Sequence, residues 1–235
     1  ARHIDFFITA TDLQNKILTQ QFRTYTHEVP RIRTIPVGSL HTLMYPQHPR
    51  LPYSIMTASR LASEKHVDWI AKAVIRAKSR VPHLRFDIYG EGSERNKIEK
   101  IIEEYEAQDY IRLKGHTNLQ EIYHQYELFV SASQSEGFGL TLMEAVGSGL
   151  GMIGFDVNYG SPTFIRHNEN GYLIPIDLDY ETIDEVINRM ADKIVQFFEN
   201  GSKQPHEISY NIAEPFKTSH IVEHWRQLIE EVLHD

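Results

Sequence analysis

Short apolar runs alternate with stretches of helical periodicity along almost the whole chain. The apolar runs predict strands at Asp5–Ile8, Ile32–Ile35, Tyr53–Ala58, Leu84–Tyr89, Ile111–Leu113, Leu128–Ser131, Met152–Phe155 and Tyr172–Ile174. The periodic stretches predict helices at Leu13–Phe22, Val67–Lys78, Asn96–Tyr105, Leu119–Tyr126, Leu140–Ser148, Ile183–Phe198 and Ile221–Leu233. Strands that alternate with helices in this way form a parallel sheet with helices on both faces. The pattern therefore predicts an α/β fold.

The stretch Val37–Pro52 divides this pattern into two unequal parts. It carries a glycine and several prolines, which is typical of a linker. The elements before it are too few to fold alone, so we interpret residues 1–50 as the last elements of an amino-terminal domain plus the linker. Residues 51–215 are predicted to form one complete domain, and residues 216–235 a carboxy-terminal helix.

Composition and charge exclude several classes of function. The formal net charge of −8 argues against a broad nucleic-acid surface, which needs clustered Lys and Arg. The absence of cysteine removes disulfides, thiolate metal sites and cysteine nucleophiles, and fits a cytoplasmic protein. No apolar run has the length of a membrane span. The 13 histidines are scattered without metal-ligand spacing, so no metal site is predicted.

The segment from Glu136 to Glu144 carries the strongest chemical signal. It joins a predicted strand to a predicted helix through a turn that contains Gly137 and Gly139. Free backbone amides at a helix start bind anions, and glycine lets a phosphate or sugar approach closely. A carboxylate one turn into the helix can accept two hydrogen bonds from the vicinal hydroxyls of a ribose. The segment therefore predicts a site for a nucleotide sugar.

A second loop supplies positive charge. Arg60 and Lys65 follow the strand Tyr53–Ala58 and precede the helix Val67–Lys78. In an open parallel sheet, ligands bind outside the carboxyl ends of the strands, where these two side chains would lie. A guanidinium and an ammonium group there could stabilise the charge on a departing nucleoside diphosphate.

Together, these two segments resemble the motifs of retaining glycosyltransferases with two Rossmann-like domains, the GT-B architecture. The Glu136 to Glu144 spacing is similar to their Glu-x7-Glu motif, and Arg60 to Lys65 is similar to their Arg-Leu-x-x-Glu-Lys phosphate motif, with His66 where glycine is usual. The resemblance implies that this chain is the Rossmann-like carboxy-terminal domain of such an enzyme, which binds the UDP-sugar donor.

The resemblance also implies residue roles. Catalysis would involve Glu136, Arg60 and Lys65, and the sugar would contact Glu136, Gly137, Phe138 and Gly139. The nucleotide would contact Arg60, Lys65, Gly90, His116, Thr117, Leu140 and Glu144. Within that set, His116 and Thr117 meet the base chiefly through backbone groups. A plain tight turn remains an equally good interpretation of Gly90.

A further pair of segments narrows the resemblance. Asp156-x-x-Tyr159-Gly160, followed by Asn170-Gly171-Tyr-Leu-Ile, is similar to bacterial transferases that place N-acetylglucosamine on serine-rich repeat adhesins. The same segments resemble glucosyltransferases of poly(glycerol-phosphate) teichoic acid. Asp156 and Tyr159 could serve only to fix their loop. Gly151 departs from the pattern, because relatives commonly have proline there.

The first subgroup implies retaining transfer from UDP-N-acetylglucosamine to Ser or Thr of an adhesin, without a metal cofactor. The alternatives are a teichoic acid glucosyltransferase that uses UDP-glucose and a non-catalytic, glycosyltransferase-like partner subunit. The expected partners are the nucleotide sugar, a Ser/Thr-rich acceptor protein and a homologous subunit. Peripheral membrane association stays open, although this chain shows no segment for it. We expect the carboxy-terminal half alone to be inactive.

The final helix carries one more expectation. In the resembling enzymes it crosses back to the amino-terminal domain. Its apolar face is therefore expected to be partly uncovered here, and consists of Ile221, Trp225, Leu228, Ile229 and Val232.

Overall fold

The computed structural model describes residues 4–26, 29–199 and 205–234. The strands are β1 (Phe7–Thr9), β2 (Ile32–Thr34), β3 (Ser54–Ala58), β4 (Arg85–Tyr89), β5 (Ile111–Gly115), β6 (Leu128–Val130), β7 (Gly151–Phe155) and β8 (Gly171–Ile174). The α-helices are α1 (Asp12–Tyr25), α2 (Val67–Lys78), α3 (Arg95–Glu104), α4 (Leu140–Gly147), α5 (Gly160–Phe164), α6 (Ile183–Glu199), α7 (Pro205–Ala213) and α8 (Thr218–His234). None of these helices combines the length and the apolar character needed to cross a bilayer.

The predicted α/β architecture is confirmed. β3 to β8 form one parallel sheet in the order β5-β4-β3-β6-β7-β8, and β1 and β2 form a separate parallel pair. The central strands β3, β6 and β7 are buried along their whole length, as expected where both faces of a sheet are covered. α2 packs with α3 and α6, while α4 packs with α5 and α7. Two apolar clusters accordingly fill the two faces of the sheet.

One predicted helix is wrong, and two short helices escaped prediction. The stretch Leu119–Tyr126 forms only a single 3-10 turn at Tyr123–Gln125, because the amides of Gln125 and Tyr126 bond to carbonyls three residues back and the chain then becomes extended to enter β6. α5 lies inside a segment that has too few residues for periodicity to be seen. The sequence predicts a loop at Gly201–Pro205, but α7 already begins at Pro205; residues 201–204 lie outside the described residues.

The amino-terminal elements are tied to the large domain by the linker and by α8. The backbone of Leu40 exchanges hydrogen bonds with Phe216 and Thr218, each with an N···O distance of 2.8 Å. On α8, Ile221 and Leu228 pack against Ile35 beside β2. The helix thus returns to the amino-terminal elements. The domain bounds at 50 and 215 stay predictions.

The rest of the apolar face of α8 is uncovered, as expected. Trp225, Ile229 and Val232 are 42%, 55% and 44% exposed. The helix therefore packs only part of its apolar face against the described chain. An amphipathic helix usually buries the whole of that face within its own domain.

Arg50, at the end of the linker, holds together three segments that the sequence leaves far apart. Its guanidinium donates to the carbonyls of His124, Tyr126 and Ser148, at N···O distances of 3.0, 2.7 and 2.8 Å. Burial lowers the pKa of this guanidinium, yet it stays charged at any ordinary pH because the pKa of arginine is so high. These carbonyls would lose a charged donor if Arg50 were removed.

We therefore expect Arg50→Ala to lower the free energy of unfolding by on the order of 2–4 kcal/mol, because partly buried carbonyls lose their charged partner. Urea unfolding followed by circular dichroism measures the change. Arg112→Ala, at an exposed position on β5, is the matched control and should stay within about 0.5 kcal/mol of the unaltered chain. Equal losses in the two variants would show that the Arg50 contacts do not stabilise the fold.

Candidate functional site

The site lies where the strand order of the large sheet reverses. From β3 the chain moves outward to β4 and β5, and then crosses back to place β6 on the other side of β3. The loops that follow β3 and β6 therefore diverge, and open sheets bind ligands in the crevice between such loops. Lys65 lies in the first loop and Glu136 in the second.

Lys65 and Glu136 form an ion pair across this crevice. The Lys65 Nζ atom is 2.6 Å from Glu136 Oε1, and the two side chains are only 17% and 16% exposed. Because water screens the pair incompletely at this burial, each charge holds the other in place more firmly than at an open surface. The structure thus brings together two of the predicted catalytic residues.

The backbone of Glu136 is fixed by the segment after β7. Its amide donates to the carbonyl of Asn158, and its carbonyl accepts from the amides of Tyr159 and Gly160, at 3.3, 2.7 and 2.8 Å. The Asp156-x-x-Tyr159-Gly160 segment therefore supports the Glu136 loop through the backbone. These bonds use backbone groups only, so they do not depend on the Tyr159 side chain.

Arg60 occupies a different environment from Lys65. Its side chain is 78% exposed and pairs with Glu64 at an N···O distance of 3.0 Å. His66, which follows Lys65, adopts a left-handed backbone with φ of 44°, and its ring stacks on Trp69 with centroids 3.9 Å apart. The left-handed conformation favours glycine, which explains why glycine is usual in the motif. The histidine that stands in place of that glycine gains the stacking contact with Trp69.

In the glycine turn before α4, Phe138 and Gly139 are buried, whereas Gly137 and Leu140 are exposed. Gly139 caps the helix with φ of 90°, which requires glycine, and no side chain caps the amides that follow. Phe138 is buried against Phe164 and Phe216, so its ring belongs to the core and only its backbone remains for a ligand. Leu140, the first residue of α4, is exposed.

Gly137 lies at the most open point of the turn. A Cβ added there would meet no atom within 4 Å, so the space beside it is free for a ligand. Its carbonyl accepts a hydrogen bond of 2.8 Å from Gln14 Nε2 on α1. The amino-terminal elements therefore contact the turn directly. The Thr11-x-x-Gln14 spacing signals a helix cap, and the contact with Gly137 could not be predicted from it.

Glu144 lies one turn into α4 and faces a cavity of about 260 Å³ between the linker and the segment after β5. Burial raises the pKa of its carboxyl group, and a hydrogen bond from Tyr123 opposes that rise. The Tyr123 hydroxyl donates to Glu144 Oε2 at 2.9 Å. Tyr123 is not among the residues that the sequence predicts for the site, because its contact with Glu144 joins residues 21 positions apart and no motif marks it.

The remaining predicted residues follow β4 and β5. His116 and Thr117 are exposed beyond the carboxyl end of β5. Gly90 has φ of 130°, and a side chain there would collide with the carbonyl of Ser59 after β3. The fold alone therefore requires this glycine. Within residues 4–26, 29–199 and 205–234, no group of three or more His, Cys, Asp or Glu is arranged to hold a metal ion.

Known proteins share this fold. The family model of the glycosyl transferases group 1 matches residues 47–214. The GtfA subunit of the UDP-N-acetylglucosamine–peptide N-acetylglucosaminyltransferase of Streptococcus gordonii is 53% identical over the whole chain. The chain spans 46% of that relative's length.

Two solved structures agree. Pneumococcal O-GlcNAc transferase GtfA in complex with UDP and GlcNAc is 53% identical, with a TM-score of 0.92 over 99% of this chain and 46% of that one. A GtfA/B complex gives a TM-score of 0.94 at the same identity and coverage. The resemblance drawn from the motifs is confirmed. Because the family model covers most of its length, this chain belongs to the glycosyl transferases group 1.

Proposed function

We propose that this chain is the donor-binding half of a retaining transferase that moves N-acetylglucosamine from UDP-N-acetylglucosamine to Ser or Thr of a serine-rich adhesin. The observation that carries the proposal is the Lys65–Glu136 pair at the strand-order reversal, with Glu144 on the helix that follows. The similarity to GtfA enzymes named for this donor supports the choice of sugar. The whole reaction is a proposal, since the chain spans under half of these relatives.

Lys65 and Arg60 would receive the diphosphate. The half-buried Lys65 ammonium places a positive charge at the crevice, where incomplete screening strengthens its attraction for phosphate. Arg60 is exposed and could swing towards the ligand from its surface pair with Glu64. Both cations would stabilise the charge that grows on the leaving UDP.

The glycine turn and its flanking carboxylates would hold the rest of the donor. Backbone amides of Phe138, Gly139 and Leu140 would donate to phosphate or sugar oxygens. Glu144 would accept from the ribose hydroxyls, and Glu136 would accept from hydroxyls of the transferred sugar. The pairing with Lys65 would keep Glu136 oriented. Base recognition would fall to His116 and Thr117, beyond β5, with Gly90 nearby after β4.

The transfer step needs no protein nucleophile. In the proposed step the bond between the sugar C1 and the diphosphate oxygen breaks, while the acceptor hydroxyl oxygen bonds to C1 on the same face. The acceptor proton passes to the leaving phosphate. A carboxylate pair spaced as in glycosidases is therefore not required.

The setting of the reaction is proposed on the same basis. The solved GtfA/B complex supports a second subunit as a partner of the whole protein. The negative net charge favours protein over nucleic acid as the acceptor. We place the reaction in the cytosol, before the adhesin is exported.

Substitution of Glu136 and of Glu144 tests this proposal, because the two substitutions should affect different properties. One should change the affinity for UDP, and the other the discrimination between UDP and the UDP-sugar. Glu144→Ala should weaken the binding of UDP by on the order of 1.5–3 kcal/mol, since charge-assisted hydrogen bonds to ribose are lost. Glu136→Ala should leave UDP affinity unchanged or raised, because Lys65 is freed from its counter-charge, and should abolish the difference between UDP and UDP-N-acetylglucosamine. Calorimetric titration with UDP, UDP-N-acetylglucosamine and UDP-glucose measures both effects.

Glu103→Ala, at an exposed position on α3, is the matched control for a lost carboxylate. Equal losses of UDP affinity in the Glu136 and Glu144 variants would show that the two roles are wrongly assigned. A preference for UDP-glucose over UDP-N-acetylglucosamine would favour the teichoic acid alternative. Failure of the unaltered chain to bind any UDP-sugar would favour the non-catalytic subunit.

We also expect UDP binding to survive treatment with EDTA. Lys65 and Arg60 already supply two positive charges, and a magnesium or manganese ion bridged to the diphosphate would need carboxylates of its own. Titration of UDP before and after chelation, and again after manganese is added back, measures this dependence. An affinity that collapses with EDTA and returns with manganese would contradict the roles given to the two cations.

A further inference from the structure

Tyr123 is a buried residue whose only polar atom is directed at a proposed binding group. The residue is 2% exposed, and its ring packs near Phe129 in the core beneath β6. Its hydroxyl donates to Glu144 Oε2 at 2.9 Å. A phenylalanine would fill the same space, so packing alone does not account for the hydroxyl.

The hydroxyl is a permanent donor in this environment. Burial, together with the negative charge of Glu144, raises the pKa of Tyr123 far above its usual value, so the proton stays on the oxygen at any ordinary pH. A tyrosine that cannot ionise can only donate to the carboxylate or rotate away from it. Rotation would leave a buried hydroxyl without a partner, which costs free energy.

The bond constrains which carboxylate atoms are free. Oε2 of Glu144 is engaged by Tyr123, and both residues line the cavity formed with the linker, so this bond restrains a carboxylate at the cavity wall. A ribose would meet an acceptor whose orientation is set in advance, so binding would not have to order it.

We propose that Tyr123 is a positioning residue that holds Glu144 in the orientation and the ionised form required to accept hydrogen bonds from the ribose diol. The inference rests on the proposed function, since it assumes that Glu144 meets the ribose.

Tyr123→Phe tests the inference. We expect UDP affinity to fall by about tenfold, because one hydrogen bond that orients a charged acceptor is lost. Affinity for 2′,3′-dideoxyuridine diphosphate, which lacks both ribose hydroxyls, should stay the same in the variant and in the unaltered chain. In a Glu144→Ala background, Tyr123→Phe should cause no further loss of UDP affinity, because the two residues act as one unit.

Tyr126→Phe is the matched control. Tyr126 is equally buried, and its hydroxyl donates to Asp87 rather than to Glu144, so its removal imposes a similar structural change away from the carboxylate. Thermal unfolding of both variants serves to check that they are folded. The role of Tyr123 is structural, and the inference is overturned, if both variants lower the affinity for UDP equally. The same conclusion follows if Tyr123→Phe lowers the affinity for the dideoxy ligand as much as the affinity for UDP.

The pH dependence of binding gives a second readout. Since the Tyr123 bond opposes the rise that burial causes in the Glu144 pKa, its removal should raise that pKa further. UDP affinity should then fall at a higher pH in Tyr123→Phe than in the unaltered chain as the solution is acidified. His41 is the other ionisable residue that lines this cavity within the described chain, and the shift should persist in a His41→Asn background.

The outcomes separate the inference from the function beneath it. If the unaltered chain does not bind UDP, the proposed function and the inference both fail. If it binds UDP, and Tyr123→Phe changes neither the affinity nor its pH profile, only the inference fails. A loss confined to ligands with the diol, with the shifted pH profile, supports it.

Discussion

The reversal of strand order between β3 and β6 is the constraint on which the candidate site depends. Parallel strands present their carboxyl ends at one edge, and a reversal sends the following loops in opposite directions. The crevice that results holds Lys65 from one loop and Glu136 from the other, 2.6 Å apart and mostly shielded from water. A pair of this kind contributes little net stability once its desolvation is counted. Its position at the crevice therefore points to a ligand.

The proposed binding groups are held by neighbouring residues before any ligand arrives. Backbone hydrogen bonds from the segment after β7 fix Glu136, the Tyr123 hydroxyl fixes Glu144, and Gln14 fixes the carbonyl of Gly137. Fixed dipoles and charges stabilise a developing charge without having to reorganise. The arrangement suits a reaction in which binding and orientation contribute more than covalent catalysis.

The site is also assembled across the linker. Arg50 ties the linker to the segments before β6 and after α4, and α8 returns to the amino-terminal elements through Ile221 and Leu228. Gln14 extends the same connection to the glycine turn. A shift of the amino-terminal elements would therefore reach the candidate site directly, through one hydrogen bond and the linker backbone.

The sequence by itself determined the α/β fold, most element positions and the two motifs. Strand alternation, the glycine turn and the Glu136 to Glu144 spacing are local patterns, and local patterns are visible in a sequence. Only the tertiary structure decided that Lys65 pairs with Glu136 and that the exposed Arg60 pairs with Glu64. It also decided that Tyr123, from a stretch predicted as a helix, donates a hydrogen bond to Glu144. The tertiary structure also showed that position 90 must be glycine, because a side chain there would collide with the carbonyl of Ser59. These contacts join residues from different strands and loops, so their partners depend on strand order and burial, which sequence periodicity does not encode.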